Sequence, residues 1–227
     1  MPVSRYNHSL EIKNEIIEKL TDENNFLFNQ IKKMRAENDI FISLSELEQK
    51  YSIGLKDDTQ RVRYFFHFVA IQAYENNTTL IEMLQSDSEV KDIPLIKKGI
   101  GNLQEGFKRF FGFYTYNKDG SLNDTMIKNS LIYPFQERAK VEYNPLYLQV
   151  DKMIDGFRTK LETKNIKEIR CDFTHYQNEK GVFNPFNFTE TALSMDSSEV
   201  YDLLFDYCIF LRHISMYVQN LMNIGYR

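Results

Sequence analysis

The chain has 227 residues, a formal net charge of -4, 18 Phe and 14 Tyr but no Trp, and only 9 Gly and 5 Pro. Apolar residues in such number with so few turn formers exclude a disordered chain and disfavour strand-rich folds, and at this length one core buries on the order of 70% of the unfolded surface. The acidic balance excludes a protein that grips long duplex DNA by neutralising its phosphates, and two cysteines, Cys171 and Cys208, exclude a disulfide framework.

Met1 to His8 lacks the apolar stretch of a secretory signal, and no run of about 18 apolar residues occurs, so a cytoplasmic protein without a membrane anchor is expected. Ile12, Ile16, Leu20, Leu27, Ile31 and Met34 recur at helical spacing between polar residues, which predicts an amphipathic helix over 9–37 capped by Ser9. Such a helix is roughly 40 Å long, enough to run the height of a bundle or to reach a second subunit. Ser43 to Glu48 resembles a short capped helix ending at Gly54.

From Asp58 and Thr59, one face carries Val62, Phe65, Phe66, Val69, Ala73, Leu80 and Leu84, with an interruption expected at Asn76-Asn77-Thr78-Thr79. Asp92-Ile93-Pro94 predicts a cap with proline in the first turn, followed by the stripe Ile96, Ile100, Leu103, Phe107, Phe110 and Phe111. Gly99, Gly101 and Gly106 weaken this helix by about 1 kcal/mol each, which is tolerable where a neighbouring helix comes close. They form no phosphate-loop pattern.

Asn117 to Ser121 is a turn, and the following stretch shows a weak helical pattern from Ile127 to Leu131 and a break at Pro134. Asn144-Pro145 reads as a cap and first helical residue, and Val150, Met153, Ile154, Phe157, Leu161 and Ile169 predict a helix reaching Arg170. Asn178 to Gly181 ends it, Asn184 to Phe188 crosses over, and Val200, Leu203, Leu204, Tyr207, Leu211, Ile214, Val218 and Leu221 define a last helix. An all-α, mostly up-and-down bundle of four long core helices plus an additional N-terminal helix follows. We expect one domain over 1–227, with 1–57 as an N-terminal helical extension.

Chemistry concentrates in Arg170-Cys171-Asp172-Phe173-Thr174-His175-Tyr176. An arginine keeps its charge and a histidine titrates near neutrality, so the two together can hold a phosphate and move a proton beside it. Five helical residues rotate by about 140°, so a local break, the reach of the arginine, or a second subunit must bring them together. Lys160, Lys164 and Lys167 recur before Arg170, as an RNA-binding stripe or as a solvated helix face. Arg61-x5-His67 also matches a loose version of the spacing, but Phe65, Phe66 and Phe68 surround that histidine and favour a structural role. Cys208 and His213 point about 140° apart on a helix and are poor joint ligands with Cys171 and His175; no metal site is expected. Asp151 with Asp155, and Glu11 with Glu15, read as solvated faces with lysine neighbours.

The order of elements, with R-x4-H and a following Tyr ahead of one last amphipathic helix, resembles the HEPN superfamily of prokaryotic defence and stress proteins. The likeness spans about Asp58 to Arg227 loosely and is sharp only from Arg170 to Tyr176. It implies a metal-independent RNA endonuclease without a cofactor, working as a homodimer whose two motifs share one site, with a toxin, abortive-infection or phage-defence role and an antitoxin or other defence-system partner. On that resemblance Arg170 binds the scissile phosphate and His175 is the general acid or base, supported by Asp172, Thr174 and Tyr176. RNA carries its own nucleophile in the 2′-hydroxyl, so proton transfer and charge stabilisation suffice. Cys171 stands where the family usually has a polar residue. Either Asp172 or Thr174 supplies the polar support, or the chain is an inactive scaffold that binds RNA, a nucleotide or a partner protein.

Overall fold

The computed structural model describes residues 8–51, 57–87, 89–112, 127–164, 166, 169, 190, 191 and 194–224. Among them are six helices and no strand: α1 Leu10–Tyr51, α2 Asp57–Leu84, α3 Glu89–Phe111, α4 Tyr133–Glu142, α5 Asn144–Thr163 and α6 Ser197–Ile224. The protein is an all-α bundle. No helix among the described residues is long and apolar enough to cross a membrane.

Ser9 caps α1 as expected, its Oγ accepting from the Ile12 N–H at 3.5 Å. The helix does not stop near Glu37 but continues through 43–48 to Tyr51, giving a length of about 60 Å. Ile16, Leu20, Leu27, Ile31 and Met34 turn inward, whereas Ile12 stays exposed. Contacts with α2 descend along one helix as they ascend along the other. The Asn24 amide donates to Thr78 at 3.0 Å, Phe28 stacks on Tyr74 at 5.9 Å, and Arg63 Nη1 donates to the Glu37 carbonyl at 3.3 Å. Hence α1 and α2 form an antiparallel hairpin.

Asn76 to Thr79 does not interrupt α2. The Thr78 and Thr79 hydroxyls donate to the carbonyls of Tyr74 and Glu75 at 2.8 and 2.9 Å, so groups that favour a break elsewhere are satisfied inside the helix. The α3 helix starts at Glu89, ahead of the expected Asp92 cap, and so takes Pro94 into its body. It ends at Gly112, whose φ of 70° only glycine adopts without strain, with the Gly112 N–H closing onto the Lys108 carbonyl at 3.0 Å. Pro134 opens α4 rather than breaking the chain, because a ring without an N–H costs nothing in a first turn. Asn144 is the first residue of α5 and not its cap; Tyr143 takes that position.

Phe65 of α2 meets Phe110 of α3 and Phe135 of α4 at 5.6 and 5.5 Å, while Phe157 of α5 stacks on Phe210 of α6 at 4.9 Å. The core is one cluster running from Leu20 to Leu221. Each fully buried large apolar side chain contributes about 1.5–3 kcal/mol, so this aromatic centre dominates the packing. Gly99 and Gly106 lie where neighbours crowd α3: an added Cβ would meet Leu204 Cδ1 at 2.7 Å and Gln72 Oε1 at 2.0 Å, respectively. Gly101 faces open space.

Candidate functional site

The helix that was expected to reach Arg170 ends earlier. The Thr163 hydroxyl donates to the Thr159 carbonyl at 2.8 Å, the Lys164 N–H reaches the Lys160 carbonyl at 3.2 Å, and α5 closes there. Ile166 is buried and Ile169 half-buried against the core, both in helical conformation. Lys167, Arg170, Cys171, Asp172, Thr174, His175 and Tyr176 lie outside the described residues, as do Gly54 and the turns and crossover expected at 117–121, 178–181 and 184–188.

What the described residues give is the frame on either side of that segment. Asp196 starts α6: its Oδ1 accepts from the Ser198 N–H at 2.8 Å and its carbonyl from Glu199 at 3.0 Å. Between the end of α5 and this start lies a cleft of about 300 Å³, with Ile166, Ile169, Val200 and Leu203 as apolar wall and Lys164 and Glu199 as polar rim. Ile169 precedes Arg170 directly in the chain.

Two of the three lysines of the stripe reach across to α6. Lys160 pairs with Asp206 at 2.5 Å and Lys164 with Glu199 at 3.0 Å, both with solvent access. Pairs of this kind stabilise by about 0–1 kcal/mol, and here they clamp the ends of two antiparallel helices. Their positive charge is therefore partly compensated.

Arg158 was not marked by its sequence context, yet it is 4% exposed. Its Nη2 donates to the Phe111 carbonyl at 3.1 Å and its Nη1 to Asp155 at 2.5 Å, with the guanidinium 5.8 Å from the Phe107 ring. The Asp155 carboxylate thus serves a buried arginine. The guanidinium satisfies the last carbonyl of α3, where the negative end of a helix favours a cation.

A second group is a polar seam inside the bundle. Gln72, Asn76 and Asn77 of α2 and Gln104 of α3 are buried, and Tyr207 of α6 is inaccessible to solvent. Gln72 Nε2 donates to Glu75 at 3.1 Å, and burial raises the Glu75 carboxyl above its usual range against the opposing pull of Lys98. Burial also pushes the Cys208 thiol up to about 12, helped by Glu23, and its Sγ contacts Asn77 Oδ1 at 3.7 Å. Such a thiol is inert at neutral pH. His213 is exposed on the same helix, so the two do not face a common point, and no group of acidic, histidine and cysteine side chains among the described residues is placed to hold a metal.

His67 departs from its expected surroundings. Phe65 next to it is fully buried, but His67 is half-buried on the side that faces α1, where it lines a recess with Arg35 and Arg63. Two positions along a helix turn by about 200°, which places the imidazole on the face opposite the aromatic core.

Compared with known proteins, the chain matches no family model, no curated protein and no solved structure.

Proposed function

We propose that the protein is a metal-independent RNA endonuclease of the HEPN type, acting as a homodimer in a toxin, abortive-infection or phage-defence role. Arg170 binds the scissile phosphate and His175 transfers the proton, with Asp172, Thr174 and Tyr176 in support. The observation that supports this reading is the all-helical bundle formed by the helices on either side of the motif in the sequence. Arg170 follows Ile169, a residue packed on the core beside an open cleft, and the chain then runs to the capped start of α6.

Purified wild type, Arg170→Ala and His175→Ala proteins are incubated with single-stranded RNA in EDTA and the product ends analysed. Cleavage to cyclic phosphate ends by wild type alone is expected. Equal behaviour of the three proteins would sink the assignment.

A second reading is an inactive scaffold of the same type that binds a partner. The pairing of Lys160 with Asp206 and of Lys164 with Glu199 favours it, since lysines engaged within the bundle contribute less to RNA binding. It predicts no cleavage by any of the three proteins.

A further inference from the structure

We draw no further inference here: the strongest candidate, the buried polar seam of Gln72, Asn76, Asn77 and Tyr207 between α2 and α6, points to no ligand or partner, since Gln72 and Tyr207 close around Gly106 and nothing among the described residues shows space for a bound group beside them.

Discussion

Replacing glycine by alanine at two positions of α3 is expected to move stability in opposite directions. In a helix interior the change gains about 1 kcal/mol, because glycine loses more backbone freedom on folding. At Gly101 the new methyl group meets nothing within 4 Å, so the full gain is retained. At Gly106 it would lie 2.0 Å from Gln72 Oε1, 2.8 Å from the Tyr207 hydroxyl and 2.9 Å from Gln72 Cδ. The Gln72 amide must withdraw by more than an ångström while its nitrogen is bonded to Glu75, and the Tyr207 ring is held against Phe157 at 5.6 Å. Overpacking of this kind costs about 1–3 kcal/mol, which leaves Gly106→Ala neutral to about 2 kcal/mol less stable than wild type. Urea unfolding of both variants gives the comparison, with equal slopes showing that only stability has changed. A Gly106→Ala protein that is as much stabilised as Gly101→Ala would refute the crowding of the seam by Gln72 and Tyr207.

Arg158→Ala is expected to destabilise by at least about 1–3 kcal/mol, since it leaves the buried Phe111 carbonyl without its donor, and Asp155→Ala by less, because that carboxylate is half in solvent and the carbonyl keeps its donor. Equal losses in denaturant titrations would contradict the carbonyl cap. Glu75→Gln addresses the raised carboxyl: the folded protein holds this proton more tightly than the unfolded chain, so the stability it lends is present below the ordinary glutamate range, about 4.3, and lost as pH rises through the folded value. Relative to wild type the variant should gain stability as pH rises from about 4 towards neutrality; a difference that is constant with pH in matched unfolding curves counts against the burial of Glu75.

Apolar periodicity was enough to place the inward faces of α2, α3, α5 and α6, because burial of one stripe is what holds each helix to the bundle. Helix boundaries were less legible. Asn76 to Thr79 and Pro134 carry the residue types of a break, yet hydroxyl bonds to the preceding turn and a first-turn position remove the cost that would make them one. The lysines before Arg170 show the same limit in charge. Their spacing defines a face, but only the antiparallel packing of α5 on α6 puts Asp206 and Glu199 opposite Lys160 and Lys164.

His67 shows how the surroundings of a side chain escape a linear pattern. Its aromatic neighbours in sequence suggest an aromatic environment, whereas a turn of about 200° from Phe65 sends the imidazole to the other side of α2. What meets it there is set by the hairpin, in which Asn24 lies opposite Thr78 and Glu37 opposite Arg63, so that Arg35 arrives from a helix whose own pattern marks it only as polar. That Arg35, Arg63 and His67 line one recess depends on the register between α1 and α2. The interactions that set this register, the Phe28 and Tyr74 stack and the Asn24 amide on Thr78, therefore also decide which side chains share that recess.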